Sequence, residues 1–261
     1  MIRYLKVWWL YTINTLQVQL NVARWGVLLF LSAKILRFGT FIFFLIILLN
    51  NTKVLAGYNL DQVILFFLMF NLLDMISQFL FREVYRFRSA IITGSFDFYL
   101  IRPVNPLFRS LMTGTDFLDF LTLIPLVVAI IYYVNKMNLL DIVNIGIFTI
   151  MLLIGLLIAL SFHILVLALG VLTTEVDNAI FLYRDLIAMG RVPVDIYMEP
   201  IRGLITFVIP VGIMMSFPAK ALMSMLSWAN FFYAVFFSLV LFYFALLSWQ
   251  FALKRYSSAS S

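Results

Sequence analysis

The chain has 261 residues, of which 64% are hydrophobic and 11% are charged. An ordinary soluble domain has roughly 45–50% apolar and about 25% charged residues, so this composition excludes a soluble protein with a normal charged surface. The chain has no cysteine and a single histidine, His163, which excludes disulfides, thiolate chemistry and metal sites that need several histidines. The sequence therefore predicts an integral membrane protein.

The first 25 residues have the pattern of an amphipathic helix. Leu5, Trp9 and Leu16 recur at helical spacing, while Arg3, Lys6 and other polar residues lie on the opposite side. A helix of this kind lies in the membrane interface, so we expect residues 1–25 to rest on the cytoplasmic leaflet before the first span. The pattern fits both a plain membrane anchor and an elbow helix that lies beside a partner subunit.

Five later stretches are apolar over about 20 residues, which is the length that a helix needs to cross the hydrocarbon core. They are residues 27–50, 62–82, 114–134, 142–170 and 229–252. Continuous runs of this length argue against a membrane β-barrel, whose strands are short and alternate in polarity. The sequence therefore predicts an all-α membrane protein.

The basic residues predict the orientation of these spans. They concentrate before residue 38, in 82–112 and at the C-terminus, whereas 51–61 and 135–141 hold few. The positive-inside rule places the basic loops in the cytoplasm. Both termini are then cytoplasmic, the number of crossings is even, and a sixth crossing lies between 171 and 228. Hydropathy alone favours 201–221 for that crossing, with 171–200 in the cytoplasm.

Several ionisable or amide side chains fall within or beside the predicted spans. Asn71, Asp74 and Gln78 follow helical steps and predict one polar stripe on the second span, either a hydrogen-bonded seam between helices or a lining of the transport pathway. Further expectations are that Asp116 and Asp119 cap the third span or pair with Arg109 or Arg102, that Lys34 and Arg37 extend to the interface, and that Arg184 pairs with Glu175 or Asp177.

The basic stretch 82–113 is the most informative part of the chain. Its pattern predicts a helix from Glu83 to Ile92 that ends at Gly94. Pro103 and Pro106 then exclude a regular helix and favour extended backbone at the residues that precede them. Such a short helix at the end of two spans is placed for contact with a soluble partner, although a solvated or lipid-facing basic loop has the same composition.

The segment that follows this helix resembles a known transporter family. The run from Gly94 to Leu107, GSFDFYLIRPVNPL, is similar to the G-x-x-D-x-x-L-x-R-P-x-N-P-L signature of one branch of the ABC-2 exporter permeases. The stretches 193–197, 204–210 and 217–219 and the ending 253–261 are similar to segments of that branch as well. The signature residues in this chain are Gly94, Asp97, Leu100, Arg102, Pro103, Asn105 and Pro106.

The resemblance implies a single transmembrane domain over 26–261, with six helices, an N-terminal elbow helix and a coupling helix between spans 2 and 3. It also implies a fifth span at about 172–192 and re-entrant helices over 195–227. The ATPase-coupling residues would then be Glu83, Arg86, Arg88 and Ile92. The implied partners are two cytosolic ABC ATPase subunits and a second permease chain, identical or related, in the bacterial cytoplasmic membrane. No interaction with nucleic acid is expected.

The sequence contains no pattern typical of a nucleotide-binding or catalytic site. No glycine is followed by lysine, so the phosphate-binding P-loop is absent, and ATP with Mg²⁺ is expected only in a partner ATPase. His163 lies within an apolar run without a catalytic pattern around it, and we expect it to pack or to form a hydrogen bond.

Two other function classes remain open at this point. A secondary transporter driven by an ion gradient would use a midplane acid, for which Asp74 is the candidate. A membrane scaffold without transport activity, or a lipid-modifying enzyme, is the other alternative. The sequence names no substrate.

Overall fold

A computed structural model of the protein describes residues 2–22, 24–115, 117–174 and 176–257. These residues are mainly helical, and the one isolated β-bridge among them joins Leu55 to Tyr58. The α-helices are α1 (Ile2–Val22), α2 (Arg24–Thr52), α3 (Leu60–Phe81), α4 (Phe87–Ile92), α5 (Asp97–Ile101), α6 (Pro106–Met112), α7 (Phe117–Lys136), α8 (Ile142–Thr173), α9 (Val176–Ala188), α10 (Ile201–Gly203), α11 (Phe217–Leu222) and α12 (Trp228–Lys254). Short 3₁₀ segments cover Arg82–Arg86, Met189–Arg191 and Val194–Ile196, and π-helical turns cover Leu204–Val208 and Gly212–Ser216.

Helices α2, α3, α7, α8 and α12 correspond to the five predicted spans. Within the described residues, five helices are long and apolar enough to cross a membrane, and a sixth candidate exists if the bent pair 201–208 and 212–222 counts as one span. The third span was predicted to begin at residue 114, but its helix α7 begins at Phe117. Residues 106–112 form the separate helix α6, and a turn follows it before α7. The membrane class and the all-helical prediction are therefore confirmed.

Local capping explains where three of these helices begin. Asn59 and Gln62 form a capping box at the start of α3, in which each side chain accepts a hydrogen bond from the other residue's backbone N–H. The Asp141 side chain caps α8 by accepting a hydrogen bond from the backbone N–H of Asn144. The Ser227 side chain caps α12 by accepting one from the backbone N–H of Asn230. These bonds satisfy N–H groups that have no partner within the helix.

Helix α3 lies at the centre of the bundle. Of the 18 most apolar consecutive residues in this span, 72% are buried inside the bundle. The corresponding fractions are 6% for α2 and 17% for α12. Close packing against α8 depends on Gly155, because a Cβ atom there would lie 3.0 Å from the carbonyl oxygen of Met214 and closer still to the side chain of Leu73. The outer faces of α2 and α12 remain available to lipid or to a second chain.

The N-terminal helix α1 packs against the bundle through aromatic side chains. Tyr4 meets Phe108 at a ring-centroid distance of 4.9 Å, and Trp8 meets Phe79 at 6.2 Å. Leu5, on the predicted apolar side, is 58% exposed. The predicted helix is present; Leu5 and Trp9 of its apolar stripe are exposed, whereas Ile13 and Leu16 are half-buried.

The chain between α8 and α12 is irregular. Helix α9 has 13 residues, and the pair 201–208 and 212–222 is bent by 78°. Asp195 holds this region to the rest of the bundle: it accepts a 3.0 Å hydrogen bond from the Tyr58 hydroxyl and forms a 2.8 Å ion pair with Lys220. Asn144, at the start of α8, also donates a 2.6 Å hydrogen bond to Ser224. Residues on both sides of the bent pair therefore lie close to the α2–α3 connection or to the start of α8.

Candidate functional site

The polar stripe on α3 forms a ladder of hydrogen bonds along its own helix. The Asn71 side chain donates to the carbonyl oxygen of Phe67 at 2.7 Å. Gln78 Nε2 donates to Asp74 Oδ2 at 2.8 Å, and Arg82 Nη1 lies 3.4 Å from Gln78 Oε1. Because these residues are three or four positions apart, helix geometry brings their side chains to one side of α3.

This stripe lines a cavity of about 270 Å³ between α2, α3 and α9. Asp74 is the one acidic residue among the described residues that line it, whereas four lining residues are basic: Lys34, Arg37, Arg82 and Arg184. A neighbouring cavity of about 230 Å³ shares Arg37 and Asn71 with the first and adds Arg191. The two cavities together, called here the basic groove, form a compartment lined by five basic side chains beside membrane-spanning helices.

Asp119 lies in the first turn of α7, as expected for an acidic residue near the start of the third span. It is 1% exposed and forms an ion pair with Lys34, whereas the partners named from the sequence were Arg109 and Arg102. The physical reason is the packing of α2 against α7, which brings the two charges together in a buried position where neither is stable alone. Asp116 lies outside the described residues.

Of the two candidate partners of Arg184, Asp177 pairs with a different residue. The carboxylate of Asp177 accepts from Arg88 Nη1 at 3.1 Å. Asp177 and Arg184 are seven residues apart on α9, which separates them by about 10 Å along the helix axis. Arg184 instead lines the basic groove, with its guanidinium 5.9 Å from the Tyr85 ring. The other predicted partner, Glu175, lies outside the described residues.

The segment 82–112 follows α3 directly. The helix predicted from Glu83 to Ile92 consists of the 3₁₀ turn 82–86 followed by α4, and Phe81, whose backbone leaves the α-helical conformation, separates it from α3. Gly94 has a φ of +68°, a left-handed conformation that glycine adopts without strain, and it ends this part of the chain as predicted. Arg102 is extended, and Asn105 caps α6 by accepting from the Leu107 N–H at 2.8 Å.

An aromatic cluster joins the 82–112 segment to the last helix. Phe96 is fully buried, with ring centroids 5.2 Å from Phe87, 6.2 Å from Trp249 and 5.1 Å from Tyr256. The Tyr256 hydroxyl donates to Asp97 Oδ1 at 2.9 Å. We call Phe87, Phe96, Trp249 and Tyr256 the aromatic joint. This cluster is not evident from the sequence, because its one local signal is an aromatic residue inside the motif.

The predicted ATPase-coupling residues differ in exposure. The side chains of Arg86 and Arg88 are about half exposed, at 50% and 51%, and Ile92 is 53% exposed. Glu83 is turned inward, with a side-chain exposure of 17%, and lies 3.6 Å from Arg86. Helix α5 adds further apolar surface nearby, because Phe98, Leu100 and Ile101 are exposed.

The described residues contain no group of three or more histidine, aspartate or glutamate side chains that could hold a metal ion. His163 is buried in α8, with Nδ1 2.7 Å from the carbonyl oxygen of Ala159, and its ring packs against Phe81 and Tyr183. The predicted packing role of His163 is confirmed.

A comparison with protein-family models matches residues 35–260 to the ABC-2 family transporter protein model. Comparisons with curated proteins and with solved structures each returned no significant match. The matched range covers most of the chain, including the polar stripe and the 82–112 segment. It contains four of the long apolar helices completely and all of α2 except its first residues. The chain therefore belongs to the ABC-2 family of membrane transporter proteins.

Proposed function

We propose that this protein is the permease subunit of an ABC exporter in a bacterial cytoplasmic membrane, driven by a separate ATPase. ATP and Mg²⁺ would be bound by two cytosolic ATPase subunits. A second permease chain, identical or related, would complete the pathway. Both termini and the 82–112 segment would face the cytoplasm, in line with the clustering of basic residues in these parts of the chain.

The observation that carries this proposal is the way in which the 82–112 segment is attached. It continues α3 without a loop, reaches α9 through the ion pair of Arg88 with Asp177, and reaches α12 through the aromatic joint. A displacement of this one surface would therefore act on three elements of the bundle at once. That is the mechanical requirement for alternating access driven by a partner subunit.

The exposed surface of the segment suits docking to a protein. Arg86, Arg88 and Arg102 supply positive charge, while Ile92 and Ile101 supply apolar area between them. Arginine and apolar anchors of this kind are enriched at protein interfaces. Helix α1 packs on Phe79 near the same end of α3, which supports a role for α1 as an elbow helix beside the ATPase.

The sequence leaves two positions open for the fifth crossing, residues 172–192 and residues 201–221. We propose that the chain crosses between Asp177 and Asp195 and that 195–227 re-enters the membrane without crossing it. Asp177 contacts the 82–112 segment, whereas Asp195 contacts Tyr58 in the connection at the other end of α3. The ion pair of Asp195 with Lys220 supports this proposal, because it brings the two ends of the segment 195–220 together. Irregular backbone of this kind is tolerated at membrane depth only when it is buried in protein or lines a cavity.

The experiment is co-purification of the full chain with co-expressed ATPase candidates in mild detergent or nanodiscs, followed by an ATPase assay. We expect a P-loop protein to co-purify, and the double variant Arg86→Glu, Arg88→Glu to release it or to abolish the stimulation of its ATP hydrolysis by the permease. A matched control is Lys53→Glu with Arg202→Glu, which makes the same change in charge at the opposite end of the bundle and should leave the complex intact.

The proposal is wrong if the chain purifies folded and without an ATPase from cells that express every candidate. Ion-coupled transport would then be the alternative, with Asp74 as the residue that binds the coupling ion. In that case Asp74→Asn would abolish proton- or sodium-dependent uptake in proteoliposomes without ATP.

A further inference from the structure

The basic groove gathers arginine side chains that have no ionic partner among the described residues. Arg37 and Arg184 line its larger cavity, and Arg191 lines its smaller one. None of the three forms an ion pair with a described residue, and the buried Nε of Arg191 has no hydrogen-bond acceptor among those residues. Arg191 lies within electrostatic range of Arg37 and Arg184, which repel it, and of Asp74, which attracts it.

Such an arrangement favours the binding of an anion. Arg37 is exposed, and Arg184 and Arg191 are partly buried. Cationic side chains among membrane-spanning helices require partners, and like charges at partly buried positions repel each other. Asp74 is the one acidic group that lines the groove among the described residues, and its carboxylate already accepts from Gln78. An anion that enters the groove would relieve this repulsion and satisfy the guanidinium donors in the geometry that arginine provides for phosphate or carboxylate.

An apolar cavity of about 290 Å³ adjoins the groove. It lies between α2, α3 and α7 and is lined by Ile35, Gly39, Ile42, Leu68 and Leu126, among others. Lys34, Phe38 and Met75 line both this cavity and the larger cavity of the groove. A space lined by basic side chains and an apolar space therefore adjoin within one region of the bundle.

We propose that the basic groove binds the anionic head of an amphiphile whose apolar tail occupies the neighbouring cavity, and that a molecule of this class is the transported substrate. Its role as substrate rests on the exporter function proposed above. The binding itself rests on Arg37, Arg184 and Arg191 and does not require an ATPase.

The test is the retention of radiolabelled dodecyl phosphate by the full chain, immobilised in dodecyl maltoside micelles. We expect saturable binding that weakens as sodium chloride is raised, and that dodecyltrimethylammonium does not displace. Arg37→Gln and Arg184→Gln should each weaken binding about tenfold, the effect of losing one charge-assisted contact of about 1.4 kcal/mol. Lys254→Gln, which removes an exposed charge at the end of α12, should bind like the wild type.

Three outcomes would overturn the proposal. The first is equal binding by the wild type and both glutamine variants, and the second is displacement by the cationic amphiphile. The third is displacement by inorganic phosphate at the same concentration as unlabelled dodecyl phosphate, because the tail would then contribute nothing. Arg37→Lys and Arg184→Lys guard against misfolding: they keep the charge and should bind more tightly than the glutamine variants. If the chain binds dodecyl phosphate but recruits no ATPase, the exporter function fails while the anion site stands.

Discussion

Lys220 Nζ lies 2.8 Å from the carboxylate of Asp195, so the two ends of the segment 195–220 meet at one place in the bundle. The intervening residues turn through 78° between two short helical pieces. Two π-helical turns and Pro210 interrupt this stretch, which explains why an apolar sequence of spanning length does not form one straight helix.

The topology that follows from this contact can be tested with single cysteines, because the natural chain has none. Met198→Cys and Met225→Cys place thiols at exposed positions that flank the bent pair. Both should react with a membrane-impermeant maleimide added to intact cells. Asn178→Cys, at the start of α9, should react only after the cells are permeabilised. Labelling of positions 198 and 225 from opposite sides would mean that the bent pair is the fifth crossing.

The hydrogen bond from Tyr58 to Asp195 predicts a dependence of stability on alkaline pH. Burial, followed by the negative charge of Asp195 and this hydrogen bond, raises the pKa of Tyr58 above its ordinary value. The folded state thus favours the neutral phenol, and its contribution is complete below the unfolded pKa of about 10 and is lost as pH rises further. Between pH 9 and 11, roughly spanning this value, the Tm of the wild type in detergent should fall more than that of Tyr58→Phe. Parallel Tm profiles for the two proteins would contradict this account.

The pair of Lys34 with Asp119 predicts strong coupling between α2 and α7. Asp119→Asn should destabilise the protein by about 3–5 kcal/mol, the usual cost of leaving one buried charge unpaired. The double variant Lys34→Met, Asp119→Leu should recover much of this loss, because it removes both charges. Denaturant or thermal unfolding in detergent micelles measures the difference.

The pair of Lys136 with Asp61 is the matched control for that experiment. It joins α7 to the start of α3 at 2.7 Å, but both side chains are partly exposed. Asp61→Asn should therefore change stability little. Equal losses for Asp61→Asn and Asp119→Asn would show that burial does not set the strength of these ion pairs.

The aromatic joint and the exposed side of α5 should have separable effects. Phe96→Ala removes a fully buried ring and should cost about 3–5 kcal/mol of stability. Phe98→Ala, two residues away, removes a ring that is 57% exposed and should leave stability near that of the wild type. If α5 docks on the ATPase, Phe98→Ala should weaken the binding of the ATPase in the co-purification assay.

Two results would contradict these roles of Phe96 and Phe98. Normal ATPase binding by a stable Phe98→Ala protein would remove α5 from the interface. Unchanged stability of Phe96→Ala would mean that the attachment of the segment to α12 depends on Tyr256 and Asp97 instead of on the ring cluster.

Regular apolar segments were predictable from sequence, since a 20-residue apolar run has one stable form in lipid, a helix with its backbone hydrogen bonds made internally. The polar stripe Asn71, Asp74 and Gln78 was predictable for a related reason, because helical spacing alone brings these residues to one side. The conformations of Gly94 and Arg102 likewise follow from local sterics, which depend only on neighbouring residues.

Contacts between helices were not predictable in this way. Asp119 pairs with Lys34, 85 positions away in sequence, and Asp177 pairs with Arg88 instead of Arg184. Each choice depends on which helices lie side by side and at what depth, and a pattern along one helix carries no such information.

The sequence by itself determined the membrane class of this protein, five of its long helices and the conformations of Gly94 and Arg102. These features arise from hydrophobic run length and from the backbone preferences of glycine, proline and capping residues, which act over a few neighbouring positions. Only the tertiary structure decided that Phe96 joins the 82–112 segment to α12, that Lys220 meets Asp195, and that Arg37, Arg184 and Arg191 converge on one groove. Those arrangements depend on the packing of side chains from distant parts of the chain.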